Sequence, residues 1–222
     1  MKAIVIQHSP DTGIGVVGPI LRDIHGFELR TIDATTADFN AIDPDAADLF
    51  VILGSPNGVY EQHIPWVVAE LAFTRKLIAL GKPIMGICFG GQMLALAHGA
   101  TVEPMGYRDS GWLENDFAID DAWAGPWFRW HGDHFTLPRD AQRLASAGEV
   151  MQGFQLGNSV GMQFHPEVTP EIIGKWVQKR RESLICNGVD VEQVLYTADA
   201  NVKEAQPRVE ALVADVLARC LG

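Results

Sequence analysis

The chain has 222 residues, 47% of them hydrophobic and 20% charged, which suits one domain with a sizeable core, or at most two small ones. A net charge of −11 argues against a nucleic-acid surface, which needs a basic face, and otherwise reports on solubility more than function. Cys88, Cys186 and Cys220 are too scattered for a zinc or disulfide framework, and no apolar run reaches the length of a signal peptide or membrane span, so a cytoplasmic protein is expected.

Residues 3–6 are an apolar run opening into Gln7-His8-Ser9-Pro10, which predicts a buried strand and a loop. Across 13–25, Val17, Ile20, Leu21 and Ile24 recur at helical spacing, and Gly26 stops the pattern. Residues 27–32 and 49–53 read as the next two strands. A longer helix over 64–80 follows, carrying Val67, Val68, Leu71, Leu77 and Ile78, closed by Gly81. Strand and helix alternate, so an α/β fold is expected: a mostly parallel, doubly wound sheet with helices on both faces. Ligands of such sheets collect beyond the carboxyl ends of the strands. The loop Leu53-Gly54-Ser55-Pro56-Asn57-Gly58 lies at one such end and can offer backbone N–H groups unobstructed by side chains.

Pro83 opens another apolar run, which leads through Gly86-Ile87-Cys88-Phe89-Gly90-Gly91-Gln92 into the helix formers Met93-Leu94-Ala95-Leu96-Ala97. The pattern is strand, tight turn, helix, with the cysteine at the turn. Gly86 and Gly90 suit a strained elbow, where a Cβ collides with crossing backbone. Free N–H groups and the dipole at the helix start favour a thiolate there. Cys88 is therefore a candidate nucleophile, against the plainer reading of a buried core cysteine. Together with the N–H of Phe89, the 53–58 loop could form an oxyanion hole.

Residues 102–165 change character. Trp112, Trp123, Trp127 and Trp130 crowd among Asp109, Glu114, Asp116, Asp120 and Asp121, and read as half-buried packing rather than a carbohydrate or partner patch. Apolar runs at 117–119, 153–156 and 160–164 predict a small antiparallel region delivering His165 to the sheet. His131 and His134 show no third ligand and Gly132-Asp133 predicts a turn, so no metal is expected.

In Gln163-Phe164-His165-Pro166-Glu167, Pro166 drives His165 into extended backbone. Residues i and i+2 then share a side, which sets the Glu167 carboxylate beside the imidazole. That is the base-plus-orienter half of a Cys–His–Glu triad. Thr169-Pro170-Glu171 reads as a helix start, with Ile172, Ile173, Trp176 and Val177 along the helix. Past Pro207, Val209, Leu212, Val213, Val216, Leu217 and Cys220 make one apolar stripe. Such a helix docks on its own domain in most cases, with a homo-oligomer or partner contact the lesser option. The expected organisation is a single domain over 1–222, with 183–222 as a C-terminal helical extension.

With Cys88, His165-Pro166-Glu167 and Gly54-Ser55-Pro56 in place, the chain resembles a class I glutamine amidotransferase, similar to the glutaminase domain of GMP synthase, over roughly residues 1–180. The 86–92 heptapeptide matches the family's nucleophile motif. Trp130-His131-Gly132-Asp133 matches a segment whose backbone holds the substrate's amino-acid head group. The resemblance implies that Gly54, Gln92, Gly132 and Asp133 bind substrate and that Ser55 and Phe89 supply the oxyanion N–H groups. It implies hydrolysis of glutamine through a γ-glutamyl thioester on Cys88, with no cofactor. The ammonia would pass to a separate synthetase or acceptor subunit, because 183–222 is too short for a synthetase domain. Two positions depart from the pattern. The family commonly has Gly at Ser55, and often Glu-Ile-Gly-Trp where this chain reads Asp109-Ser110-Gly111-Trp112. Two other readings are a hydrolase or peptidase acting on γ-glutamyl peptides or amines, and a catalytically silent binding module on the same scaffold.

Overall fold

The computed structural model describes residues 1–186 and 188–222. Strand β1 (Lys2–Gln7) leads to a single α turn, α1 (Val17–Pro19), that continues into a π-wound stretch over Ile20–Ile24. The helix expected over 13–25 is thus shorter and loosely wound, and Ile24 is left 58% exposed. Gly13, Gly15, Gly18 and Pro19 give this segment little helix propensity. Strands β2 (Glu28–Asp33) and β3 (Leu49–Ile52) follow, then α2 (Pro65–Ala79), β4 (Ile84–Ile87) and α3 (Phe89–Ala97). Next come β5 (Val102–Leu113), β6 (Phe117–Ala118), the single turn α4 (Asp121–Ala124), β7 (Trp127–Phe135), β8 (Gln142–Ala147), β9 (Val150–Leu156) and β10 (Ser159–Met162). Two long helices, α5 (Pro170–Cys186) and α6 (Val191–Leu221), end the chain.

The main sheet runs β2-β1-β3-β4-β10-β9-β8-β6. Its first five strands are parallel and its last three add antiparallel pairs. The expected α/β architecture is therefore present. Residues 160–164, expected among antiparallel strands, fall in and just after β10, which is antiparallel only to β9. Its other edge pairs parallel with β4, Gly161 opposite Gly86 and Met162 opposite Ile87. That pairing sets the residues after Met162 beside those after Ile87.

Side chains alternate across the parallel strands. Ala3, Val5, Val51, Met85, Ile87, Val160 and Met162 face one core with α6, while Ile4, Ile6, Phe50, Ile52 and Ile84 face another with α2 and α3. Helix α6 starts at Val191 and runs through Pro207, rather than starting past it. A mid-helix proline costs about 3 kcal/mol or more. Burial of Val209, Leu212, Val213, Val216 and Leu217, all 5% exposed or less, offsets this at roughly 1.5–3 kcal/mol for each side chain. No helix among the described residues is long and apolar enough to cross a membrane.

Gly132-Asp133, expected as a turn, lie in the second half of β7, which pairs with β5 in a separate two-stranded sheet. Burial of Trp127, Phe128, Trp130 and Phe135 overrides the turn preference of Gly132-Asp133, as tertiary packing commonly does in strands. His131 and His134, an odd number of residues apart on a strand, leave it on opposite faces.

Candidate active site

Between the end of β4 and the start of α3, Cys88 makes the turn alone, at φ 53° and ψ −105°. Positive φ at a non-glycine residue is strained and persists only where the surroundings enforce it. Here the Cys88 N–H donates to the Met162 carbonyl at 2.8 Å, and the Gln92 N–H donates to the Cys88 carbonyl at 2.9 Å. The packing around the turn admits no Cβ. One on Gly86 would lie 2.4 Å from the Gly90 carbonyl oxygen, and one on Gly91 2.4 Å from that of Met162.

His165 follows β10 and reaches the same edge. Its N–H donates to the Phe128 carbonyl at 2.8 Å, and its Nδ1 lies 2.7 Å from Glu167 Oε1. The edge of Trp176 closes on the ring at 4.8 Å between centroids, while Trp176 Nε1 donates to the Asp11 carbonyl at 2.8 Å. Glu167 is fixed through its own carbonyl, which accepts from Val16 N–H at 2.9 Å. Gly15 permits that approach, since a Cβ there would sit 1.7 Å from the carbonyl oxygen.

Burial pulls the His165 pKa down, but the Glu167 carboxylate and the Cys88 sulfur outweigh it and hold the ring at about 10. Nε2 has no well-aligned hydrogen bond to any described residue. Cys88 is its neighbour on that side, and thiol–imidazole geometry of this kind commonly tightens only when substrate is bound. A relay of amides also reaches the sulfur: Gln92 Nε2 donates to Gln163 Oε1 at 3.1 Å, and Gln163 Nε2 points at Cys88 Sγ at 3.6 Å.

The loop after β3 completes the floor. Ser55 Oγ accepts from Asn57 N–H at 3.1 Å, and Glu61 accepts from Asn57 Nδ2 and Gly58 N–H. The Ser55 N–H makes no backbone hydrogen bond to any described residue. Gly54 lies against the other two segments, its absent Cβ falling 3.2 Å from His165 Cε1 and 3.9 Å from Cys88 Cβ.

A cavity of about 930 Å³ opens over these groups, and every site residue named from the sequence lines it except Glu167, which stands behind the imidazole. Its far wall holds Arg108, Lys179, Arg180 and Arg181. Lys179 pairs with Asp11 and Arg181 with Glu192, whereas Arg108 forms no ion pair among the described residues. Burial and the neighbouring Arg180 lower the Arg108 pKa. Burial likewise raises the Asp133 carboxyl, against a hydrogen bond from Tyr60 at 3.3 Å. His131 is pushed down to about 3 by burial. Its neutral ring spans 3.0 Å from Nδ1 to the Asp133 carbonyl, so it braces the strand. No set of three metal-ligating side chains occurs among the described residues.

The family model described as glutamine amidotransferase class-I matches residues 11–181. The chain belongs to that family. GMP synthase [glutamine-hydrolyzing] of Chromobacterium violaceum is 32% identical over 168 residues, covering 67% of this chain, and the match spans only 30% of that protein. Among solved structures, a glutamine amidotransferase of Thermotoga maritima superposes with a TM-score of 0.85 at 26% identity, covering 98% of both chains. One from Methylobacillus flagellatus gives 0.84 at 22% identity over 98% of this chain and 94% of its own, a likeness of fold. In this class I member the serine at position 55 has its own use, locking the loop by accepting from Asn57.

Four groups around the site are missed by sequence reasoning. Arg108 has no motif to mark it, Trp176 shows only as a helix position, and Gln163 only as part of a motif. The fourth is His8, whose ring contacts the Gly54 carbonyl at 3.1 Å and both Glu70 oxygens at 2.9 and 3.0 Å. A signal for it existed. Glu70 is a lone acid on the inward stripe Val67, Leu71, Thr74, Leu77 of α2, where helical spacing calls for an apolar residue.

Proposed function

We propose that the protein is a glutamine amidohydrolase that releases ammonia by way of a γ-glutamyl thioester on Cys88. The observation that carries this is the strained Cys88 turn facing an imidazole that Glu167 orients from 2.7 Å. The reading assigns Cys88 as nucleophile, His165 as acid and base, and Glu167 as the group holding the ring. With the imidazole already carrying the proton, the Cys88 thiolate attacks the γ-carbonyl carbon. The carbonyl oxygen gains the electron pair, stabilised by the N–H groups of Ser55 and Phe89; losing one such donor costs on the order of 3 kcal/mol. As the pair returns, the C–N bond breaks and His165 gives its proton to the leaving nitrogen. Neutral His165 then takes a proton from water, which attacks the thioester and frees glutamate.

Gly54, Gln92, Gly132 and Asp133 line the cavity where the amino-acid head group would lie. Arg108, without an ion pair among the described residues, suits the substrate carboxylate. The name of the Chromobacterium relative joins glutamine hydrolysis to GMP synthesis, and the corresponding partner here is a synthetase or other acceptor of the ammonia. Cavity size favours a second reading, hydrolysis of γ-glutamyl peptides or amines. About 930 Å³ is near the top of the roughly 300–1,000 Å³ that encloses drug-sized ligands, more than one amino acid fills.

A substrate panel with Cys88→Ala as control decides among these. Glutamine turnover lost in the variant supports the amidohydrolase, and a clear preference for γ-glutamyl dipeptides moves the assignment to the hydrolase. Turnover of neither leaves the silent scaffold. A γ-halo-ketone analogue of glutamine should label Cys88, even though Cys186 is the exposed thiol. Cys220 is fully buried, and burial pushes its pKa up to about 12.

A further inference from the structure

His8 and Glu70 are a buried ionisable pair with no place in the steps above. Both side chains are fully excluded from solvent. His8 leaves the carboxyl end of β1 just where the ladder to β3 stops, the last bond being Leu53 N–H to the Ile6 carbonyl at 3.0 Å. One residue further along, the side chain takes over from the backbone: His8 Nδ1 lies 3.1 Å from the Gly54 carbonyl oxygen. A carbonyl can only accept, so Nδ1 carries the hydrogen. The other ring nitrogen meets both oxygens of Glu70, at 2.9 and 3.0 Å, which fixes the ring's orientation. Phe89 and Trp66 pack on its faces, with centroids at 4.6 and 5.4 Å.

The Gly54 carbonyl belongs to the same peptide plane as the Ser55 N–H. In a planar trans peptide the two point in opposite directions. Gly54 and Ser55 line the cavity and His8 does not, so a carbonyl drawn towards His8 turns the Ser55 N–H towards the cavity and Cys88. A hydrogen bond to the carbonyl also polarises the amide, strengthening its N–H by perhaps 10–30% in condensed-phase estimates. The ring packed at a tilt against His8 is that of Phe89, which would supply the second oxyanion N–H. A buried ion pair is weak evidence for stability, since apolar residues of similar volume often serve as well. What hydrocarbon cannot provide is a donor aimed at one carbonyl.

We propose that His8, held by Glu70, is a positioning residue that sets the Gly54–Ser55 peptide with its N–H facing the Cys88 sulfur, so forming half of the oxyanion hole. The inference rests on the thioester reading given above. Three variants test it: His8→Leu removes the donor, His8→Asn returns an N–H near the Nδ1 position, and Glu70→Gln weakens the anchor.

With glutamine or γ-glutamyl p-nitroanilide, His8→Leu should lower kcat on the order of 10²-fold, as for loss of one oxyanion donor, with KM little changed. His8→Asn should recover most of the loss, and Glu70→Gln should fall between. Alkylation of Cys88 by iodoacetamide, followed by peptide mass mapping, supplies the contrast. There the sulfur displaces iodide from carbon and no oxyanion forms, so His8→Leu should react at the wild-type rate. Equal loss of alkylation and turnover, or no recovery in a folded His8→Asn protein, overturns the proposal. Should the wild type turn over neither compound, the thioester reading fails, and a crystal structure of His8→Leu still decides the positioning role: a rotated Gly54–Ser55 peptide sustains it and an unchanged one refutes it. If His8→Leu does not fold, the kcat and alkylation rates of Glu70→Gln are decisive in the same way.

Discussion

Replacing Gly90 by alanine tests whether the Cys88 turn depends on backbone contact or on glycine's flexibility. Gly90 is the second residue of α3 and its φ is not in the left-handed region, so on helix propensity alone alanine should gain roughly 0.5–1 kcal/mol. The surroundings demand the reverse. The new Cβ would lie 2.0 Å from the Ile52 carbonyl oxygen, and ordinary contact begins at 3.4 Å, so α3 and β3 must part by more than an ångström. The opposing atom is backbone in a central strand and has no rotamer to change. Overpacking of this kind costs about 1–3 kcal/mol, and a 1 Å displacement of a reacting group can cost about 10²-fold in rate. Urea unfolding and glutamine turnover measure the two effects. Gly174→Ala in α5 is the control, since a Cβ there meets nothing within 4 Å, and it should be stabilising. A Gly90→Ala protein as stable and active as the wild type would refute the close-approach account.

Glu167→Gln should bring the alkaline limb of the kcat/KM profile to lower pH, because the carboxylate is the main influence holding His165 up at about 10 against its burial; an unmoved limb contradicts this. A raised folded pKa also contributes stability that is full below the ordinary histidine value, about 6.5, and is lost as pH rises through about 10, so the stability gap between wild type and Glu167→Gln should narrow across that window in urea titrations. Leu212→Ala, at a side chain 1% exposed in α6, should cost about 2–5 kcal/mol; a negligible change would mean that α6 is not part of the core beneath the sheet. Arg108→Ala should raise the KM for glutamine about tenfold or more with kcat retained, because a hydrogen bond to a charged group contributes about 1.5–3 kcal/mol; a fall in kcat at constant KM would remove Arg108 from ground-state binding.

The legible parts of this protein are those whose physics is local. Gly86, Cys88 and Gly90 announce a strand-to-helix turn within five residues, and Pro166 sets Glu167 beside His165 within three. What cannot be read is which strands become neighbours. The 160–164 run looks like one more short strand, yet β10 is the one whose free edge pairs with β4, and that register alone brings the His165 segment to Cys88. Period-two alternation specifies which face is buried and says nothing about the partner. The turn expected at Gly132-Asp133 fails for the same reason. Gly132-Asp133 carries a genuine turn preference, but pairing with β5 and the burial of Trp130 and Phe135 outweigh it.

His8 and Glu70 add a different lesson. Each breaks the pattern around it: a polar ring closing an apolar strand, and an acid on the inward stripe of a helix. Taken singly, either break looks like a tolerated defect, and only the fold shows that they are one feature, since that contact ties the residue after β1 to α2. Apolar residues at both positions would spare the buried pair but leave the Gly54 carbonyl without the donor that His8 supplies. Sequences depart from consistent patterning chiefly where function or strain requires it. The departure at His8 and Glu70 ends on the peptide whose direction sets where the Ser55 N–H points, and packing alone does not require that coincidence.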